Sequence, residues 1–396
     1  MSRSLLRRMA VWVLSGLLWT AAAQAEPLKI GLIVPLTGPF AAYGQKVEQG
    51  IRLFLAEHGD QVAGRELQIL VKDDTGISPA VAKRLAQELL VRDRVDLLAG
   101  FMLTPNAFAV APLATQAGVP MLVLNAATSS ITEKSPNIVR VSMTLPQNTA
   151  PLAQWARAQG VRTVYTLVAD YGPGHDAEAQ FRQTFTELGG EVLGALRTPV
   201  STPDYGPYIQ RIKDAAPDAA FFFVPNGEQA VSLVKMARER GLPEAGIRLL
   251  ATGDVTDEDM LEALGEASLG LITSFHYSAV HDSPENHAFV QAYQAAHPGE
   301  RVNFMVVAGY DGMQLVRDVL EKTGGDASAP AFVEAARDLS WQSPRGPVRI
   351  DSETRDIVQN VYMRRVERVD GLLQNVEFDT IEAVRDPVKA AQRIGP

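Results

Sequence analysis

KIGLIVPLTGPFAAYG, Lys29 to Gly44, carries the pattern that decides the fold. Ile30 to Pro35 is an apolar run of strand length, and it breaks at Thr37-Gly38-Pro39 into a loop. Val47, Ile51, Phe54 and Leu55 then recur at helical spacing. A buried strand that turns through a Gly-Pro loop into an amphipathic helix is the opening of an α/β sheet. In such sheets ligands sit in the crevice beyond the carboxyl ends of the strands. The loop after Pro35 therefore faces a place where a small molecule can be caught.

The residues before this stretch read as an export leader, residues 1–25. Arg3, Arg7 and Arg8 form a basic start, Met9 to Trp19 is mostly apolar, and small residues follow at Ala23 and Ala25. The apolar run is shorter than the ~20 residues that span a bilayer, which argues against an anchor. The 396-residue chain contains no cysteine. That excludes disulfides, a thiol nucleophile and a lipid-modified cysteine at the cleavage site. The expected location is the periplasm of a Gram-negative cell, in soluble form.

A chain this long exceeds what one hydrophobic core usually supports, so two domains are expected. The net charge of −9 becomes about −12 once the three leader arginines are removed. An acidic surface of this kind argues against nucleic acid as a partner.

Strand and helix signals alternate along the chain, which implies parallel βαβ units. A first series runs from Ile30 to Leu124, with strands at Leu67–Val71, Val95–Ala99 and Met121–Leu124. A second series restarts at the helix Pro146–Gly160 and ends with the strand Leu269–Ser274. After His276 the pattern changes to helices at Pro284–His297, Val306–Thr323 and Pro330–Leu339. Strands return at Gly346–Ile350 and Val358–Val366, and the turn Asp370-Gly371 leads into Leu372–Phe378 as a hairpin. The polar tail from Asp379 to Pro396 is expected to wrap a lobe.

Catalytic signatures are absent from the sequence. Gly76-Ile77-Ser78-Pro79-Ala80 lacks the final glycine of a nucleophile elbow, and there is no Walker loop and no H-E-x-x-H. The six histidines are scattered, none paired at i, i+4, so neither a metal nor a cofactor is expected. Asp257, Glu258 and Asp259 read as the acidic start of a helix, complementing its dipole. Asp254 precedes that turn and is not explained by it.

Small polar residues at strand ends remain. Thr104 follows the strand Val95–Ala99, and Ala126-Ala127-Thr128 follows Met121–Leu124. There, hydroxyls and backbone N–H groups suit a carboxylate at a helix start. Thr128, Ser129 and Ser130 equally suit ordinary capping, and the chemistry alone leaves both open. Tyr43, Met102 and Leu103 would add an apolar wall. Tyr171-Gly172 and Asn226-Gly227 occupy loops at strand carboxyl ends in the second series.

These residues resemble a family. KIGLIVPLTGPFAAYG, LVKDD (Leu70–Asp74), NAATSS (Asn125–Ser130), DYGPG (Asp170–Gly174), GDVTDE (Gly253–Glu258) and YDGMQL (Tyr310–Leu315) look like the type I periplasmic solute-binding proteins of the leucine/isoleucine/valine-binding class. The resemblance runs from about Leu28 to Phe378. It implies two doubly wound α/β lobes joined by three crossing segments, closing on a ligand by a hinge. Lobe 1 is then 26–146 plus 277–342, lobe 2 is 147–276 plus 343–378, and 379–396 is a tail.

The resemblance also implies a role and a site. The role is the substrate-binding component of an ABC importer: a monomer, not an enzyme, that delivers a small molecule to a membrane permease. Tyr43 matches the aromatic residue of the first lobe. Met102, Leu103 and Thr104, with Ala126, Ala127 and Thr128, match the loops that hold an amino-acid carboxylate. Tyr171 matches the aromatic that closes from the second lobe. Pro225-Asn226 stands where amino-acid binders often have another tyrosine, and Asp254 is the nearest acid to their ammonium-binding glutamate. The implied ligand is a hydrophobic, branched-chain type amino acid. HYSAVHDSPEN (His276–Asn286), SPRGP (Ser343–Pro347) and the tail NVEFDTIEAVRDPVKAA resemble a subgroup similar to binders of aromatic carboxylates, which makes a benzoate-like acid the alternative. An amide sensor of the same fold is a further alternative.

Overall fold

The computed structural model describes residues 26–200 and 204–394. The expected leader, residues 1–25, lies outside the described residues. The first lobe is built on a sheet of β1 (Leu28–Val34), β2 (Gln61–Val62), β3 (Arg65–Asp73), β4 (Leu97–Gly100), β5 (Met121–Val123) and β6 (Ile138–Arg140). Their order is β2-β3-β1-β4-β5-β6, parallel throughout except for the β2–β3 pair. In the centre of the sheet Ile30 registers with Ile69 on one side and Leu97 on the other. The apolar run of β1 is buried because helices cover both faces, as parallel sheets require.

The second sheet comprises β7 (Thr163–Ala169), β8 (Glu191–Thr198), β9 (Ala219–Phe223), β10 (Arg248–Thr252), β11 (Ile272–Phe275), β12 (Ser340–Ser343), β13 (Gly346–Ile350), β14 (Ile357–Val369) and β15 (Leu372–Val384). β8-β7-β9-β10-β11 is parallel, and β14, β13, β12 and β15 are joined to it by antiparallel pairings. β9, Ala-Ala-Phe-Phe-Phe, is buried along its whole length.

The chain crosses between the sheets three times. After β6 it enters helix Leu145–Ala158, which packs on β11 and β14. After β11 it enters helix Pro284–Ala296, which returns to helix Ala41–His58 of the first lobe. After helix Ala329–Ala336 it enters β12. The returning helix Phe304–Thr323 lies against Ala41–His58 at unusually close range. A Cβ at Gly50 would stand 2.0 Å from the Val306 carbonyl oxygen, and one at Gly309 would stand 2.2 Å from that of Val47. Two facing glycines permit this approach, and no side chain fits at either position.

Several elements differ from the sequence expectation. β6 is three residues long, too short for a periodicity to register. The second sheet resumes at Ser340 rather than Ser343, because β12 is a short, largely polar edge strand without an apolar alternation. The hairpin strand β15 continues past Phe378 to Val384, where polar and apolar residues are mixed along a largely exposed stretch. Helix Pro387–Ile394 then packs against Leu145–Ala158.

Asp257–Leu264 is not one helix. It forms a 3₁₀ turn at Glu258–Met260 and a single α turn at Leu261–Leu264. Asp257 is extended (φ −49°, ψ 141°) and buried, and Glu258 is buried against Asn375 Nδ2 at 2.9 Å. These acids serve tertiary contacts rather than a helix dipole.

Candidate functional site

β4 and β5 are neighbours in the first sheet, and both end at the same cavity. Gly100 closes β4 with φ +112°, and a Cβ there would lie 2.1 Å from the Ile33 carbonyl oxygen. Only glycine allows the chain to leave the sheet this tightly. The loop Phe101–Leu103 then leads into helix Thr104–Ala117. β5 leads into Asn125–Thr128 and the 3₁₀ turn Ser129–Lys134. The Asn125 carboxamide donates to the Met102 carbonyl at 2.9 Å, and the Ala126 N–H donates to Phe101 O at 3.0 Å. These bonds fasten the two loops to each other.

Thr104 Oγ1 and Thr128 Oγ1 are 3.0 Å apart and buried. Neither hydroxyl caps a helix. Thr128 holds the N-cap position before Ser129–Lys134 but makes no capping bond, and Leu103 occupies the N-cap before Thr104. The Ser129 hydroxyl donates to Asp386 instead. The capping alternative therefore does not account for these threonines.

The cavity between the lobes is lined by Tyr43, Met102, Leu103, Thr104, Ala126 and Ala127 from the first lobe. Tyr171, Phe223, Pro225 and Asp254 line it from the second, and Met143 and Leu145 from the first crossing. Its volume is about 20 Å³, room for about one water molecule. The lobes are thus closed upon each other. The Tyr43 hydroxyl donates to the Asn226 carbonyl across the cleft at 3.3 Å. The Ser129 N–H donates to Asp176 of the opposite lobe at 2.8 Å. A Cβ added at Gly172 would stand 3.0 Å from Thr128 Oγ1, so the second lobe reaches the threonine pair at a residue with no side chain.

The far wall is aromatic. The Tyr171 ring stacks on Phe223 at a centroid distance of 6.1 Å and 16° between planes. Burial raises both the Tyr43 and Tyr171 phenols, and the Asp254 carboxylate raises them further. Both phenols are therefore neutral donors. Burial pushes the Asp254 carboxyl up to about 6, against the lowering effect of the Thr252 hydroxyl at 2.9 Å.

Not every expected residue faces the cavity. Thr128 stands behind Thr104, as its hydrogen-bond partner. Asn226 turns its carboxamide away to Asp257, and Pro225 takes the place on the wall. Asn303 Nδ2 also reaches Asp257 at 3.1 Å, which explains why an acid is buried there. Phe223 was hidden in the sequence inside an apolar strand run, and Met143 and Leu145 carry no local signal that separates them from core. Gly172 had a signal, its place after the aromatic Tyr171 at a strand end.

Residues 27–371 match the periplasmic binding protein family, and the chain belongs to it, as a type I member. It is the substrate-binding component of an ABC transporter. Among solved structures, a solute-binding protein of an ABC transporter from Rhodopseudomonas palustris BisB5, in complex with 3,4-dihydroxybenzoic acid, is 49% identical with a TM-score of 0.88. That match covers 92% of this chain and 99% of the other. A second, from R. palustris HaA2 with p-hydroxybenzoic acid, is 46% identical with a TM-score of 0.90, covering 92% and 100%. The Leu/Ile/Val-binding protein homolog 6 of Brucella melitensis is 46% identical over 375 residues, 94% of this chain and 96% of that protein.

Proposed function

We propose that this protein captures a small aromatic carboxylate of the hydroxybenzoate kind between its lobes and presents it, in the closed form, to a membrane permease. It acts as a monomeric, non-enzymatic carrier in the periplasm, after removal of residues 1–25. The lobes that move are 26–146 with 277–342 and 147–276 with 343–378, the boundaries adjusted to Ser340 and Val384 where the strands run.

The observation that carries this proposal is the composition of the cavity wall. One side offers the Thr104 hydroxyl, backed by Thr128, at the start of helix Thr104–Ala117. A hydroxyl donor at the positive end of a helix suits a carboxylate. The rest of the wall is Tyr43, Tyr171, Phe223, Met102 and Met143, whose faces suit a flat ring once the lobes draw apart from the about 20 Å³ left between them here. Asp254 is the polar end, and its carboxyl can accept a hydrogen bond from a phenol. The R. palustris relatives that bind 3,4-dihydroxybenzoic and p-hydroxybenzoic acid support the same ligand class.

A branched-chain amino acid remains the second candidate. Asp254 favours it, because an ionised carboxylate in this position would pair with an ammonium group. The name of the B. melitensis relative points the same way. Calorimetric titration with 4-hydroxybenzoate and with leucine separates the two.

A further inference from the structure

Behind the loop that carries Ala126, Ala127 and Thr128 lies a buried network that ends in the C-terminal segment. Arg140, fully buried at the end of β6, donates through Nη1 to the carbonyls of Ala126 (3.1 Å) and Thr128 (2.7 Å). Its Nη2 donates to the Ser129 carbonyl at 3.2 Å. The guanidinium is held by Asp356 Oδ1 through Nε at 2.8 Å and Nη2 at 2.6 Å. Asp356 Oδ2 in turn binds Lys389 Nζ at 2.6 Å, and Lys389 also donates to Thr132 Oγ1 at 2.5 Å. Asp386 Oδ2 accepts from the Ser129 hydroxyl at 2.6 Å. Arg140, Asp356, Asp386 and Lys389 are each at most 4% exposed.

We propose that the segment Asp386–Lys389, distant in sequence from the cavity residues and not lining the cavity, positions the loop Ala126–Ser129 for its ligand. This rests on the carboxylate site proposed above. In a planar trans peptide the C=O and N–H point in opposite directions. With the Ala126 carbonyl turned to Arg140, the N–H of Ala127, a cavity-lining residue, is turned away from it. Arg140 thus fixes the side of the loop that is presented to a ligand. Asp356 and Lys389 hold Arg140 in place, and Asp386 holds Ser129. Both cations pair with Asp356, Asp386 joins through the Ser129 hydroxyl, and partnered polar groups of this kind specify one arrangement where a looser apolar contact would permit several. Ser129 is also where the opposite lobe arrives, since its N–H donates to Asp176. The tail is therefore linked through one residue to both the anchor loop and the closed state. Arg140, Asp386 and Lys389 are positioning residues, since none of them lines the cavity.

The test uses the full mature chain and the variants Asp386→Ala, Ser129→Ala and Asp386→Asn. The first readout is amide hydrogen exchange of residues 126–129 without any ligand. The second is the affinity for 4-hydroxybenzoate. The expected result for Asp386→Ala is exchange at these amides faster by about tenfold or more, with the strands β1 and β4 unchanged. Affinity falls by about tenfold, the equivalent of one charge-assisted hydrogen bond. Asp386→Asn, which keeps an acceptor, restores most of both. If Asp386→Ala fails to fold, Ser129→Ala breaks the same contact by removing one oxygen. Exchange at residues 126–129 within about twofold of wild type in the folded variants overturns the proposal. A wild-type protein that ignores 4-hydroxybenzoate overturns the ligand assignment instead, and the exchange measurement still decides the role of the tail.

Discussion

The hydroxyls of Thr104 and Thr128 lie 3.0 Å apart, on loops that leave two adjacent parallel strands. They form one donor–acceptor pair, so one hydroxyl proton is engaged between them and the other is free for a ligand. The pair has no role as a helix cap, and Gly172 of the other lobe closes directly over it.

Thr104→Ala removes the hydroxyl that lines the cavity and leaves Thr128 without its partner. Binding of the carboxylate ligand is expected to weaken by roughly 1–3 kcal/mol, while Thr104→Ser retains most of the affinity. Calorimetry on both variants checks this, and an unchanged Thr104→Ala removes the threonine from the anchor.

Gly172→Ala tests closure. The new methyl would meet Thr128 Oγ1 at 3.0 Å and Thr104 Cγ2 at 3.7 Å. Closure then requires a small displacement of the threonine pair. The expected result is affinity lower by about tenfold with the melting temperature of the free protein nearly unchanged, since about 1.4 kcal/mol is charged to the closed form. Small-angle scattering with ligand should show a larger open fraction than in wild type.

Asp254 makes stability depend on pH in a defined direction. Its carboxyl is raised from 3.8 to about 6 by burial. Between these values the folded state keeps a proton that the unfolded state has lost. The folded form therefore loses stability as pH rises through this window, and the deficit is complete above pH 6. Asp254→Asn should be about 1–3 kcal/mol more stable than wild type at pH 7, with the gain vanishing below about pH 4. Urea unfolding at the two pH values measures it, and no gain at pH 7 contradicts the account.

The same group sorts the ligands by pH. An anionic aromatic acid should bind more tightly as pH falls from about 7.5 to 5.5, because protonation of Asp254 removes a like charge. Leucine would bind more weakly over that range, because its ammonium loses an ionised partner. Titrations at the two pH values give opposite slopes for the two ligand classes.

Lys46 fastens the outer edge of the cleft. It donates to Tyr293 Oη at 2.8 Å and Glu300 Oε2 at 3.0 Å, and it lies 3.4 Å from Asp259 of the second lobe. Burial pulls its pKa down, but these partners outweigh that and raise it. Lys46→Met removes the cation from Asp259, which is partly exposed and keeps its bond from Asn303 Nδ2, and from the more exposed Glu300, so a loss of about 1 kcal/mol in urea unfolding is expected.

The class of fold was readable because β1 and β9 are long apolar runs and the helices between them keep a clear period. Thr104, Ala126 and Ala127 were readable because ligands meet α/β sheets at strand ends, a rule of topology. Asn226 shows the limit: its loop sits at the cleft, but its carboxamide is taken by Asp257, and only the three-dimensional path of the 3₁₀ turns could reveal that. Asp257 and Glu258 looked like dipole partners because a sequence does not show that Asn303 and Asn375 arrive from distant segments. The tail network was hidden for the same reason, since Arg140 and Lys389 are joined through Asp356, which is distant from both in sequence.

Calorimetric titration of the mature protein with 4-hydroxybenzoate and with leucine, at neutral pH, tests the central claim most directly. The account predicts saturable one-to-one binding of 4-hydroxybenzoate, weakened in Thr104→Ala, and no heat of binding with leucine. Saturable leucine binding that is lost in Asp254→Asn, with no binding of the aromatic acid, would contradict it.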